Sequence, residues 1–251
     1  MVNLLTMKSL FKINIFTYIL LILSFLSGYY KEISIILFIL IVHELGHFFL
    51  MKLFNIKVNK ITIYPYGGMI KSNILINTNS LKILLISLGG IINQIILFLL
   101  IYLFNTIGLI NDNLYTIFNY SNISIIIFNL LPIYPLDGYK ILNSILELFL
   151  SFKNSLIISL IVNIVCLISF IIYLFLYKIN NYIIVIFLLT VFFKYLSEIK
   201  YIFNKLYIER IIYKMEYKGL VSVDKLSNLH KNKFNYINGV KENEYISSKF
   251  A

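Results

Sequence analysis

Residues 32–52 read Glu32-Ile33-Ser34-Ile35-Ile36-Leu37-Phe38-Ile39-Leu40-Ile41-Val42-His43-Glu44-Leu45-Gly46-His47-Phe48-Phe49-Leu50-Met51-Lys52. The apolar run is long enough to be a membrane-spanning helix, yet three ionisable side chains interrupt it. Ten residues from Ile33 to His43, at about 1.5 Å each, put the first histidine about 15 Å into the span, roughly half the hydrocarbon thickness. Residues i and i+4 share a helix face, so His43 and His47 can reach one ion. Glu44 beside them is suited to take a proton from a metal-bound water. Such groups cost several kcal/mol in lipid, about 2.5–3.5 kcal/mol for one charge on the most lenient scales, and that cost favours a functional reading over two histidines merely bonded between helices.

Composition around this stretch agrees. Of 251 residues, 60% are hydrophobic and 13% charged, where a soluble domain carries about a quarter charged. Apolar runs at Ile15–Leu26, Ile33–Val42, Ile83–Tyr102, Leu156–Tyr177 and Tyr182–Phe193 predict, with their flanks and one further segment, six spans: 13–30, 33–54, 81–108, 114–136, 156–177 and 182–203. The first run lacks a small-residue cleavage site and reads as a retained helix. The expected fold class is an all-α polytopic membrane protein of six transmembrane helices with a small membrane-edge β element and a short cytoplasmic C-terminal subdomain. The transmembrane domain covers 1–203 and a basic tail covers 204–251.

The net charge of +11 sits in connections and not on a nucleic-acid-binding face. Lys8 and Lys12 precede the first span, Lys52, Lys57, Lys60, Lys71 and Lys82 surround one loop, and the tail is basic again. Positive-inside bias places both termini in the cytoplasm of a multi-pass cell-membrane protein. Cys166, alone in an apolar run, excludes an intramolecular disulfide and a cysteine-built metal site.

Two segments depart from simple spans. Residues 56–72 alternate apolar and polar and then turn at Gly67-Gly68, which predicts a β element. The fourth run carries Asn119, Asn122 and Asn129, then Pro132 and Pro135, and should unwind before its end; irregular backbone persists at membrane depth only where protein or a water-filled cavity satisfies it.

A catalytic zinc site normally takes three protein ligands. The third is His230, far along in the tail, or a carboxylate. Asp137 stands out because it follows the unwinding stretch and precedes Gly138; Glu32, Asp112, Glu147 and Glu198 sit at span ends or in loops, where solvent accounts for them.

His43-Glu44-Leu45-Gly46-His47 and the stretch Asn129-Leu130-Leu131-Pro132-Ile133-Tyr134-Pro135-Leu136-Asp137-Gly138 together resemble the site-2 protease family of intramembrane zinc metalloproteases (peptidase family M50), and span number and loop lengths look most like its branch in spore-forming bacteria. The resemblance implies one zinc ion held by His43, His47 and Asp137, with Glu44 as general base and later proton donor. It implies contact of Asn129 with the substrate backbone or developing oxyanion, a substrate-holding role for Pro135, and presentation of an extended substrate strand at Gly67 and Gly68. It also implies a membrane-associated substrate, such as an RNA-polymerase sigma-factor precursor, and inhibitory membrane partners. The family's Gly-Pro-x-x-Asn stands here as Gly89-Gly90-Ile91-Ile92-Asn93, without proline. The tail is short for the nucleotide-sensing CBS domain of that branch and resembles a partial remnant. A zinc or cation transporter and an inactive scaffold remain open as alternatives.

Overall fold

The structure, a computed structural model, describes residues 11–64, 67–178, 182–213, 217 and 219–250. Lys8, Pro65 and Tyr66, which figured in the charge and β readings, lie outside the described residues. The chain divides into two compact units, Met1–Ile74 with Leu85–Asn129, and Leu75–Leu84 with Leu130–Ala251.

In the first unit, β1 (Phe11–Ile13) leads into α1 (Ile15–Leu26), capped by Asn14, whose side chain accepts from the Phe16 N–H. Next come α2 (Tyr30–Leu53), β2 (Val58–Tyr64) and β3 (Gly67–Ser72). The expected β element is an antiparallel hairpin, Tyr64 opposite Gly67 and Ile61 opposite Ile70. Unforeseen from the residues, β1 pairs parallel to β2, Phe11 opposite Ile61. Three residues are too short a run to show a period. Ile61 and Ile63 turn inward against Leu37 and Leu40 of α2, so the sheet lies on the histidine helix. The Thr17 hydroxyl donates to the Ile63 carbonyl at 3.0 Å and ties α1 to β2. The unit also holds most of α3 (Ser80–Thr106) and nearly all of α4 (Asp112–Leu130). Ile39, Leu97 and Phe118 form the core where α2, α3 and α4 meet.

The second unit contains α5 (Asp137–Phe149), α6 (Phe152–Leu176) and α7 (Tyr182–Ile212). A small sheet of β4 (Leu220–Val223), β5 (Phe234–Ile237) and β6 (Val240–Lys241) follows, then α8 (Glu242–Phe250). β4 and β5 are parallel, β5 and β6 antiparallel. The tail has its own core of Leu226, Leu229, Ile237 and Ile246.

Three helices among the described residues are long and apolar enough to cross a bilayer: α2, α3 and α6, with mean hydropathies of 2.2, 2.4 and 2.8. The six-span count is finer than that. α1, at 12 residues, rises about 18 Å against a core of about 30 Å. The fourth run does unwind: α4 stops at Leu130 and residues 131–136 are irregular. Two boundaries differ from expectation. The 137–155 connection contains α5, whose buried Asp137, Ser144 and Glu147 lie along one face. α7 runs past 203 to Ile212, because Leu206, Glu209 and Arg210 are buried within the second unit.

Candidate metal centre

On α2, His43, Glu44 and His47 are all buried, at 2%, 7% and 7% exposure. Their Nε2 atoms stand 3.1 Å apart, and each Nδ1 is engaged elsewhere. His47 Nδ1 lies 2.7 Å from the Ile86 carbonyl oxygen, which can only accept, so Nδ1 carries the proton. His43 Nδ1 lies 2.9 Å from Gln94 Oε1. Gln94 is oriented by a reciprocal pair with Asn122: its Nε2 donates to Asn122 Oδ1, and Asn122 Nδ2 donates to the Gln94 carbonyl, both at 3.2 Å. The Gln94 oxygen therefore faces His43 and accepts. Each imidazole thus carries its proton on Nδ1 and its lone pair on Nε2. Two lone pairs 3.1 Å apart repel unless a cation lies between them, so the pair fits a metal ion through the tautomers its partners select.

Glycine makes the approach of α3 possible. A Cβ at Gly46 would overlap the Gly89 carbonyl, and one at Gly90 would come within 2.5 Å of the His43 ring. Asn93 Nδ2 donates to the Val42 carbonyl at 3.1 Å, one residue before His43. Gly68 on β3 lies directly on Glu44: a Cβ there would overlap the glutamate's Cγ and Cδ. Only glycine lets the hairpin backbone come so close to that carboxylate.

In the second unit, Asp137 opens α5 and is 4% exposed. Its Oδ1 accepts from Lys140 Nζ at 2.9 Å. Gly138 permits the reversal after α4, since a Cβ would overlap the Leu130 carbonyl. The irregular stretch is held by bonds from Ile133 N to Leu131 O and from Leu136 N to Ile133 O, both 2.8 Å. Tyr134 N donates to Asn163 Oδ1 at 3.4 Å.

The first unit thus offers two imidazole nitrogens to one ion, and the second offers the buried carboxylate of Asp137. Two imidazole nitrogens and one carboxylate oxygen are the donor types of a tetrahedral zinc site with a position left open. The family model described as Peptidase family M50 matches residues 31–109, the stretch that holds both histidines and their α3 partners. That stretch of the chain is similar to peptidase family M50. Among curated proteins, stage IV sporulation protein FB of Bacillus subtilis (strain 168) is 29% identical over 140 residues, covering 56% of this chain and 49% of that protein. A zinc metalloprotease of Methanocaldococcus jannaschii is 31% identical over 126 residues, covering 48% and 36%. The chain thus matches half or less of the length of these two relatives. The solved structure of a site-2 protease from Methanocaldococcus jannaschii shares the fold, with a TM-score of 0.53 and 24% identity over 73% of this chain and 87% of that one.

The other residues singled out in the sequence are placed as follows. Asn129 Nδ2 donates to the Ile125 carbonyl at 3.1 Å, on its own helix. Pro135 sits in the irregular stretch, and Gly67 and Gly68 begin β3. His230, the alternative third ligand, is in the tail, within the second unit. Gln94 and Asn122 were not recognised as partners of the site. Their signal was available, two amides in apolar helices, but neither belongs to a motif. Glu147 corrects an expectation: it is 3% exposed and bonded to Lys231, Ser80 and Asn143, not solvated at a span end.

Proposed function

We propose that this chain is a zinc-dependent intramembrane endopeptidase that cleaves a membrane-associated protein, the substrate class being a sigma-factor precursor processed during sporulation. The observation that carries the reading is the pair of Nε2 lone pairs converging inside an apolar helix beside a buried glutamate. In this reading His43, His47 and Asp137 hold the ion. When bound, zinc supplies Lewis acidity and a hydrolytic water acidic enough to lose its proton near neutrality. Glu44 takes that proton and returns it to the leaving amine. Gly68 keeps the glutamate carboxylate oriented, and β3 with Gly67 receives substrate as an extended strand, which matters because a peptide must lose its helix before its carbonyl can be attacked. Asn129 contacts the substrate backbone or the developing oxyanion, and Pro135 holds the substrate beside the site. The stage IV relative supports the sporulation substrate. The chain's basic connections support six spans in the cell membrane with both termini cytoplasmic. In the same reading, on the resemblance alone, the tail of 204–251 is a short CBS-like remnant and membrane proteins act as inhibitors.

Glu44→Gln tests the chemistry. Co-expressed with candidate sigma-factor precursors, it should retain zinc and lose cleavage by at least about 10²-fold, the lower end of what a positioned general base supplies. Cleavage at the wild-type rate would refute the assignment.

A further inference from the structure

The helix that begins with Asp137 is fixed along its length, from Tyr139 to Glu147. Tyr139, Asn143 and Glu147 recur at four-residue intervals and so form one stripe along α5. Every member is bonded within the second unit. Tyr195 and Tyr139 hydroxyls meet at 2.5 Å, Tyr139 and Ser159 at 3.1 Å. Ser159 Oγ shares its one proton between Asn143 Oδ1 at 3.1 Å and the Leu156 carbonyl at 3.0 Å, and Asn143 Nδ2 donates to Glu147 Oε1 at 2.9 Å. Read from Tyr195, the donors can all point one way and end on a carboxylate, the arrangement in which successive hydrogen bonds polarise and strengthen one another. At the far end Glu147 Oε2 accepts from Ser80 Oγ at 2.6 Å and from Lys231 Nζ at 2.7 Å.

Lys231 comes from the tail and is 3% exposed, as is Glu147. The neighbouring Asn232 reinforces the junction: its Nδ2 donates to Ser80 Oγ and to the Glu147 carbonyl, both at 3.0 Å, and its Oδ1 accepts from Ser80 N at 2.9 Å. Phe152 N donates to the Leu229 carbonyl at 2.8 Å. Arg210 pairs with Glu242 in the same buried region and donates to the carbonyls of His230 and Lys231. The first turn of α5 is held by fewer bonds, those of the Tyr139 hydroxyl and the Lys140–Asp137 pair. Its N-cap is Leu136, which makes no side-chain cap bond, and the helix has 13 residues, a length marginal on its own.

We infer that Lys231 and Glu147 are positioning residues for the metal centre, the docked tail fixing the rotation and height of α5 and thereby the placement of Asp137. A buried ion pair is a poor source of net stability, whereas its directional bonds fix geometry. The chain from Tyr139 to Lys231 is a latch and not a proton path, because the Asn143 amide interrupts any relay of hydroxyl protons. The inference rests on Asp137 being a zinc ligand, as proposed above.

The test uses the full chain in detergent or nanodiscs, with amide hydrogen exchange across residues 139–143 and zinc affinity measured by chelator competition. Lys231→Met should speed exchange in that segment and weaken zinc binding about 10- to 100-fold, the range for loss of a residue that supports a ligand. Adding Glu147→Gln to Lys231→Met removes the stranded charge and should recover much of both. Ser159→Ala breaks the stripe without stranding a charge and should give a smaller loosening of the same segment. It carries the test if Lys231→Met does not fold. Unchanged exchange and zinc affinity within about twofold of wild type in the folded variants would overturn the inference. Wild-type protein that binds no zinc would instead overturn the metal reading, and exchange at 139–143 alone would then decide whether the tail holds α5.

Discussion

His43 and His47 owe their chemistry to bonds on the side of each ring facing away from the other. Replacing Gln94 by Leu strands the buried Nδ1–H of His43, at about 1–3 kcal/mol, and frees the ring to turn. Zinc affinity should fall about 10- to 100-fold, measured by competition with a chromophoric chelator, while helical content by circular dichroism stays unchanged. Gly68→Ala drives a methyl into the Glu44 side chain. Displacing a general base by about 1 Å costs about 10²-fold in rate. The variant should therefore lose activity and keep zinc, a split visible by assaying cleavage and metal content on one preparation. The burial of His43, Glu44, His47 and Asp137 was legible because ionisable groups in apolar sequence are conspicuous and the first three fall within a helical turn. Gln94 was hidden in a run that otherwise looks like membrane filler, and the role of Gly68 was hidden because close approach leaves no mark in sequence beyond the glycine itself.

At the scale of elements, the break between α4 and α5 is the decisive construction. Leu130 ends one helix and Asp137 starts the next, and Gly138 lets the chain double back against the Leu130 carbonyl. Gly138→Ala should shift the start of α5 and reduce both bound zinc and cleavage at least about tenfold, with expression and helical content near wild type; full zinc occupancy in that variant would count against the role given to this turn. The break was readable from Pro132 and Pro135. α5 was not, because 13 residues of mixed polarity following two prolines look like connection, and the helical stripe of Tyr139, Asn143 and Glu147 is polar where the expected signal is apolar. The hairpin of β2 and β3 was readable from its alternation, whereas β1 depends on a pairing partner some fifty residues away.

At the scale of the whole chain, the tail folds into a sheet and helix with a core of its own, more structure than its charge-rich composition announces. His230 in this region is held below its ordinary value of 6.5 by burial first and by the Lys233 charge second. A lowered folded value means that the unfolded tail binds the proton more readily, so stability is present above about 6.5 and is lost as pH falls through that value toward the folded one. Protease resistance of the 217–250 segment should accordingly decline between about pH 7.5 and about pH 5.5, and His230→Gln should flatten that dependence. Within the first unit the backbone contact of Gly46 with Gly89 has a consequence for how firmly the two rings are held. Helices that touch main chain to main chain have no compressible side chains between them, so the distance from each imidazole to its acceptor on α3, Gln94 or the Ile86 carbonyl, is set by peptide geometry. A bulkier residue at either glycine would carry both acceptors away together and leave the rings free to turn.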